Sequence, residues 1–539
     1  MADKSGKPGP ALMFGVPLII LLAAGYFGYT MLIAPALEDG DGPAGATSGD
    51  KSTSGKKMIR IAGDPWSGYS TFRGEPRMAA KLAKDNLAVD YIDDEKYYDQ
   101  NVRMEALAAG KIDLALTTLD AFLQHGIKNL KDGKYPGVIL WNIDESNGGD
   151  AIFLAKGRSS FDDVKASDKV CYSEGTPSEH LWDFASLSFS NLGDNLGTDN
   201  GVVAEDCWKK LKDGKVQVAV LWQPFTAIAE KDGYQKVFAT GGQADDVIVD
   251  IIVANRDYVV KEKDAIDKLI RAYFSTIKAY EKDTGGHGKF ITADCGPDCK
   301  GDESLGKAVL TGIDFLTYEE NACLWWGLCG KPAKMNARIR KTGRLLSAKG
   351  KIAAAKLPRA ETILNDSFLK GMKAEQDDQL RLASEVGGDN TKAAEKVKVE
   401  EKKYEYAADA KKDEEGKDVG TLRLPNIYFA EGSAALDVNA NSVVDGIGDR
   451  LQSFPALCVR VYGHTNSVGP PGPNKALSEQ RAQSIVNYLK AKDGFAFPAS
   501  RFDVRGFGAE QVIMTDGRED MKASRRTEFK LFNCDATTK

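Results

Sequence analysis

The sequence predicts an α/β chain in three parts: an apolar N-terminal helix, a large α/β domain, and a smaller α+β domain of order β-α-β-α-β-β. Three observations predict it. A charge-free run covers Ala11–Leu37. From Met58 to about Leu369, short strand-like runs alternate with helical patterns, the mark of an α/β fold on mainly parallel sheets. From Lys373 to Lys417 the residues Lys, Glu, Asp and Ala dominate, which marks a tether between domains. The chain has 539 residues, too many for one core.

Composition sets the function classes. Hydrophobic residues make up 42% and charged ones 28%, as in soluble globular proteins. A net charge of -6 does not suggest the basic face of a nucleic-acid binder, so no nucleic-acid partner is expected. Four histidines leave little room for a His-rich metal site. No metal and no cofactor are expected.

The apolar run comes first in the chain. At about 1.5 Å per residue, Ala11–Leu37 is long enough to cross a hydrocarbon core of about 30 Å. Lys4 and Lys7 precede it, and Glu38, Asp39 and Asp41 follow. The positive flank belongs in the cytoplasm and the remainder outside it. The expectation is a single-pass anchor: residues 1–10 cytoplasmic, 11–37 spanning, the bulk exported. Its rival is a cleaved signal peptide ending at Ala34-Pro35-Ala36, which the length of the run disfavours. Residues 38–57 are rich in Gly, Ser, Asp and Lys and read as a flexible spacer.

All eight cysteines lie beyond the apolar run, where export favours disulfides. Cys295 and Cys299 bracket Gly-Pro-Asp, and Cys323 and Cys329 flank Leu-Trp-Trp-Gly-Leu. Zinc is the rival for these four, but their spacings do not fit the usual pattern in both halves. Cys458 and Cys534 each lie in or beside an apolar strand-like run of the last domain and form a candidate pair. Cys171 and Cys207 are the remaining couple. Connectivity stays open at this level.

Residues 58–372 form the large domain. Strand-like runs are Met58–Ala62, Ile112–Leu116, Gly137–Trp141, Ala151–Ala155, Val216–Leu221 and Val247–Ala254. Helical stretches include Arg103–Ala109 and Asp264–Lys282. Residues 373–419 are a charged linker, and 420–539 are the last domain, opening on a strand at Thr421–Phe429. Its helices are expected at Val438–Ser453 and Lys475–Ala491.

The last domain carries five ordered motifs: Ile427-Tyr-Phe-Ala-Glu-Gly-Ser-Ala434, Gly463-His-Thr-Asn-Ser-Val-Gly469, Asn474-Lys-Ala-Leu-Ser-Glu-Gln-Arg-Ala482, Gly506-Phe-Gly508 and Ser524-Arg-Arg526. Over about 115 residues it resembles the OmpA-like peptidoglycan-binding family. The resemblance implies a peptidoglycan stem-peptide ligand, whose diaminopimelate carries carboxylates and an ammonium. Arg481 matches the family's carboxylate-binding arginine, a residue type whose guanidinium fork suits a carboxylate. Asn474, Leu477 and Ser478 lie one and two turns earlier near the same helix face. Thr465 is expected at the pocket mouth, and Arg525 or Arg526 adds positive potential. Asn466 stands where the family usually has Asp, which removes a charge that would meet the ammonium. His464 is expected to be structural.

The large domain resembles the periplasmic solute-binding proteins of taurine, alkanesulfonate, nitrate and pyrimidine-precursor importers. The carrying segments are Ile59-Arg-Ile-Ala-Gly-Asp-Pro-Trp66-Ser-Gly-Tyr69, Gly110-Lys-Ile-Asp-Leu-Ala-Leu-Thr-Thr118, Ser146-Asn-Gly-Gly-Asp-Ala-Ile152, Ser173-Glu-Gly-Thr-Pro-Ser-Glu-His180, Val216–Pro224 and Val247–Ala254. The resemblance implies a two-lobed, type II binding-protein fold. Lobe 1 takes residues 58–147 and 247–372, and lobe 2 takes 148–246. The crossings are placed near Gly148–Asp150 and Ala244–Asp246, and a ligand closes the lobes by hinge motion. Turns after strands supply the candidate solute contacts: Trp66, Ser67, Tyr69, Thr117, Thr118, Asp120, Asp150, Thr176, Ser178, Trp222 and Gln223. At each of them a core lid or a helix N-cap is the plain alternative. Only Arg73 lies near the first motif, while Asp64, Asp120 and Asp150 surround the cleft turns, which tilts the expectation towards a zwitterionic or cationic solute.

The expected function is solute binding in the periplasm by a protein fixed to the inner membrane and the wall, serving an ABC permease or ligand sensing. The alternative is a structural tether or stator-like protein. Stator helices carry an ionisable Asp, and Ala11–Leu37 has none. An enzyme is not expected: no Gly-x-Ser-x-Gly elbow, His-Glu-x-x-His or phosphate-binding Gly-rich Lys loop occurs.

Overall fold

The computed structural model describes residues 55–193, 196–245, 247–385, 404–406, 418–495, 497–534 and 537–538. The expected membrane span at 11–37, and Asp246 at the expected second crossing, lie outside the described residues. Among the described residues no helix is long and apolar enough to cross a membrane.

The chain builds β1 (Lys57–Ala62), β2 (Leu87–Ile92), β3 (Leu114–Thr118) and β4 (Gly137–Ser146), then turns at Asn147–Gly149 into a second sheet. That sheet holds β5 (Asp150–Leu154), β6 (Lys169–Cys171), β7 (Gly197–Thr198), β8 (Val218–Trp222) and β9 (Gln235–Ala239). The chain then returns to the first sheet with β10 (Val249–Asn255) and β11 (Ile313–Phe315). The orders are β11-β4-β10-β3-β1-β2 and β7-β6-β8-β5-β9. Two sheets joined by two crossings make the two-lobed fold.

The sheets are mixed, which corrects the expectation of mainly parallel ones. β1 runs parallel to β2 and β3, and β6 to β7 and β8. β10 is antiparallel to β3 and β4, β11 to β4, and β5 to β8 and β9. β5 and β10, the first strands after each crossing, run antiparallel to the strands beside them. Their sequences hide this: a run buried on both faces reads as continuously apolar whichever way it points.

Lobe 1 packs around Trp141, Phe72 and Tyr273, the last two stacked with ring centroids 5.2 Å apart. Tyr273 sits on the helix Lys263–Tyr280, whose apolar stripe covers the sheet.

After the helix Ser367–Glu385, which runs into the expected linker, come β12 (Tyr404–Glu405), β13 (Asp418–Thr421), β14 (Leu457–His464) and β15 (Phe502–Gly508). The hairpin β16 (Met514–Thr515) and β17 (Arg518–Glu519), then β18 (Thr527–Asn533) and β19 (Thr537–Thr538), finish the chain. The main sheet has the order β13-β18-β14-β15 and is covered by the helices Val438–Leu451 and Pro471–Ala491. The strand expected over Thr421–Phe429 stops at Thr421. Pro425 follows, and its missing N–H cannot extend a ladder.

This last domain shares its core with lobe 2. Phe454 packs on Phe184, Phe189 and Phe238 of lobe 2, at centroid distances of 5.5, 6.0 and 6.1 Å. Ser190 N–H donates to Thr421 O at 2.9 Å, and Arg423 N–H to Ser188 O at 2.8 Å. Lys530 reaches both Asp162 of lobe 2 and Asp418, each at 3.0 Å. The contact extends to the second crossing, where Ala456 N–H donates to Gly242 O at 2.8 Å. Four disulfides close: Cys171–Cys207, Cys295–Cys299, Cys323–Cys329 and Cys458–Cys534.

Candidate functional site

The crevice between the lobes is built where β3, β4, β5, β8 and β10 end near the crossings. Asp150 opens β5 and pairs in register with Trp222 of β8. Its carboxylate accepts from Ser146 Oγ at 2.6 Å, and Ser146 Oγ in turn meets Thr240 Oγ1 at 2.8 Å. Asp150 therefore ties the two crossings together. Burial pushes its carboxyl up to about 7, with Asp120 adding to the effect.

Trp66 is half-buried, and Ser67 is buried at the start of the 3-10 turn Ser67–Phe72. Tyr69, in the same turn, donates its hydroxyl to Asp250 Oδ1. Gly68 is required here, because a Cβ would collide with both Asp144 Oδ2 and Trp66 Nε1. The indole N–H thus lies beside the Asp144 carboxyl. Gln223 donates its backbone N–H to Gly149 O at 2.9 Å.

Several buried polar atoms have no hydrogen-bond partner among the described residues, and both lobes supply them. Lobe 1 contributes Trp66 Nε1, Thr118 Oγ1, Asp120 Oδ1 and both Asp144 oxygens. Lobe 2 contributes Ser178 Oγ, Ser173 Oγ, His180 Nδ1 and Gln223 Oε1. The lobes meet directly: His125 Nε2 is 3.4 Å from Gly175 O, and Asp120 is close enough to His180 to oppose the lowering of its basicity by burial. Isolated buried polar atoms are costly, so such a convergence is a binding-site feature.

Two expected contacts are corrected. Thr117 Oγ1 donates to Gln100 Oε1 at 2.8 Å, because alternation along β3 turns it away from its neighbour Thr118. Thr176 is the N-cap of the helix Pro177–Ser188: its hydroxyl accepts from Ser178 N–H and donates to Ser173 O, at 3.3 and 2.8 Å. The sequence reading missed Asp144, Asp250, His125, His180, Ser173 and Thr240. Asp144 in Gly137–Ser146 and Asp250 in Val249–Asn255 did carry a signal, each a carboxylate inside an apolar strand. Burial pushes both well above the usual carboxylate range, and each raises the cost of ionising the cluster.

In the last domain, Arg481 lines a cavity of about 30 Å³ together with Tyr428, Phe429, His464, Arg525 and Arg526. Its Nε donates to Ser433 O at 2.9 Å and its Nη2 to Ala430 O at 3.1 Å, with the guanidinium 5.1 Å over the Phe429 ring. That leaves Nη1 as the donor not used within the described residues. Burial, then Arg525, lower the basicity of Arg481. Arg525 is exposed, whereas Arg526 is held by Glu528 at 2.6 Å, so the two neighbours differ in what they offer a ligand. His464 is buried against Phe507 and kept neutral by burial and Arg526.

The expected helix contacts divide. Ser478 is fully buried; its hydroxyl donates to Lys475 O at 2.7 Å and accepts from Gly508 N–H at 2.9 Å. It locks the helix onto β15 and is not a ligand contact. Gly463 serves the same close packing, since a Cβ there would collide with Ser478 O. Asn474 holds the preceding turn by donating to Val468 O and Asn466 O, at 3.0 and 3.4 Å. Leu477 and Asn466 are half-buried, and Thr465 is buried with its hydroxyl unpartnered among the described residues.

Residues 428–526 match the model of the OmpA family. The Escherichia coli (strain K12) protein described as Probable lipoprotein YiaD is 32% identical over 112 residues, 20% of this chain and 50% of its own length. Outer membrane porin F of Pseudomonas fluorescens is 32% identical over 107 residues, 20% of this chain and 32% of its own. The chain thus spans half or less of the length of these relatives. Among solved structures, the periplasmic aliphatic sulphonate binding protein SsuA of Escherichia coli aligns over 57% of this chain and 99% of its own, at 13% identity and a TM-score of 0.42.

Proposed function

We propose that the chain is a binding protein of the bacterial cell envelope that holds a small solute between its two lobes and attaches to the peptidoglycan stem peptide through its last domain. The observation that supports the first half is the set of unpartnered buried polar atoms supplied to one crevice by both lobes. The OmpA-family match and the Arg481 cavity support the second. The charge-free run Ala11–Leu37 supports an inner-membrane span with residues 1–10 cytoplasmic and the bulk periplasmic in this reading. An ABC permease or a membrane-bound sensor is the partner that would receive the solute.

A thermal-shift screen of the full chain against amino acids, amines, sulfonates and pyrimidines tests the crevice, since a bound solute stabilises by mass action. Silence across the panel removes solute binding. Co-sedimentation with purified sacculi tests the wall attachment.

A structural tether with an inert crevice is the second reading, and the core shared between lobe 2 and the last domain favours it. A rigid union suits load-bearing, and it predicts sacculus binding without any solute hit.

A further inference from the structure

We propose that the crevice takes an organic cation, met by Asp144 and Asp120, with Asp150 adding to the negative field around them. This rests on the solute-binding reading above and adds the ligand's chemical class.

The groups that would handle an anion are already engaged by the protein's own carboxylates. Arg73 pairs with Asp294 at 2.5 Å and donates to main-chain carbonyls of the first turn. Arg103 is fully buried and pairs with Asp64 at 3.0 Å. The helix Leu119–Gly126 carries Asp120 in its first turn, and at the helix Pro177–Ser188 Glu179 accepts from Gly175 N–H at 2.8 Å and pairs with Lys351 at 2.9 Å. Positively polarised helix ends facing this region are thus matched internally.

What remains open is a set of carboxylate and amide acceptors, beside the Trp66 indole N–H and the hydroxyls of Thr118, Ser173 and Ser178. Asp144 is fully buried beside the Trp66 indole N–H and Asp250, and neither of its oxygens makes a well-formed hydrogen bond among the described residues. Asp120 Oδ1 is in the same state, and across the crevice so are the fully buried Ser178 Oγ and Gln223 Oε1. An ionised carboxylate only accepts, and burying one unpaired costs several kcal/mol. An ammonium or guanidinium supplies the missing donors and the missing charge together. Among the described residues no three His, Cys, Asp or Glu side chains are placed to hold a metal ion.

The electrostatic surroundings agree. Asp144 is faced by Asp250, Asp314 and Asp150, with Tyr273 and Trp66 completing its shell. Asp120 is near His125 and His180, both kept neutral by burial. Arg103 acts on Tyr69 and Asp64 at the rim of this group. Burial keeps protons on Asp144 and Asp150 that an incoming cation would displace.

The test is calorimetry on the full chain with putrescine, agmatine and choline as cations, ethanesulfonate and nitrate as anions, and uracil as a neutral solute. A cation binds, its apparent enthalpy changes with the ionisation enthalpy of the buffer because protons leave, and Asp144→Asn and Asp120→Asn separately weaken it at least tenfold. Binding of an anion or uracil with no cation overturns the ligand class and leaves solute binding standing. A cation held equally well by both variants overturns the assignment to these carboxylates. No heat from any of the three classes overturns this proposal and the solute-binding reading together. Sacculus binding by each variant checks that it has folded.

Discussion

Asp144 of β4 and Asp250 of β10 are register partners on antiparallel strands, two buried carboxyls face to face in the wall of the crevice. Asp250 receives the hydroxyl of Tyr69, while Asp144 sits beside the Trp66 indole N–H and Asp250 itself. Two like charges this close cannot both ionise cheaply, so at least one proton stays between them.

The first prediction concerns pH. The folded state keeps protons on Asp144, Asp150 and Asp250 that the unfolded chain releases near pH ~3.9. Their stabilising contribution is full below that pH and disappears as pH rises through the folded values, about 7 for Asp150. Without solute, the unfolding temperature of the full chain should drop by several degrees between about pH 5 and about pH 8, and Asp144→Asn should flatten the slope. A temperature that climbs over this range counts against the buried carboxyls.

A second prediction follows from Arg481. Hydrogen bonds to charged groups contribute about 1.5–3 kcal/mol, so Arg481→Ala should weaken sacculus binding roughly 10- to 100-fold. Arg481→Lys should not rescue it, because an ammonium cannot grip the Ala430 and Ser433 carbonyls and still present a fork. Co-sedimentation at several salt concentrations reads both variants.

At Asn466 the expected change is a gain. Asn466→Asp restores a charge opposite the stem-peptide ammonium, and charge-assisted bonds are about twice as strong as neutral ones. Tighter sacculus binding by this variant is the predicted outcome; unchanged binding would place the ammonium elsewhere.

Phe454 carries the fourth prediction. Truncating a buried phenylalanine costs about 3–5 kcal/mol. Since Phe454 touches Phe184, Phe189 and Phe238, Phe454→Ala should lower the unfolding temperature of lobe 2 and of the last domain together. Calorimetry that shows the last domain melting at its native temperature in this variant would contradict a shared core.

The disulfides should differ in weight. Cys458–Cys534 closes a separation of 76 residues and Cys295–Cys299 one of 4. Loop entropy predicts about 4.5 and about 2 kcal/mol respectively. Replacing the first pair by serines should therefore cost more in denaturant midpoint than replacing the second.

Much of the last domain was legible, because its chemistry is local. Gly463, Ser478, Arg481 and Gly506 lie in short motifs around one helix and two strands. Their individual duties were harder to read. A serine one turn from Arg481 suits a ligand as well as a helix lock, and only its contact with Gly508 N–H decides. Thr176 poses the same ambiguity, since a hydroxyl before a helix serves as cap or ligand donor alike. Asp144 and Asp250 were visible as charges inside apolar strands, yet nothing near either one names the other as its partner.

By itself the sequence determined the alternation of strands and helices through the large domain and the motif that carries Arg481. Both depend on residues a few positions apart, whose spacing sets which face they share. Tertiary structure alone decided that Phe454 joins the lobe 2 core and that carboxylates from both lobes meet at the crossings. Those contacts join segments far apart in the chain, and hydrophobic burial, which drives them, is non-directional: an apolar or acidic residue shows that it needs a partner without showing which one.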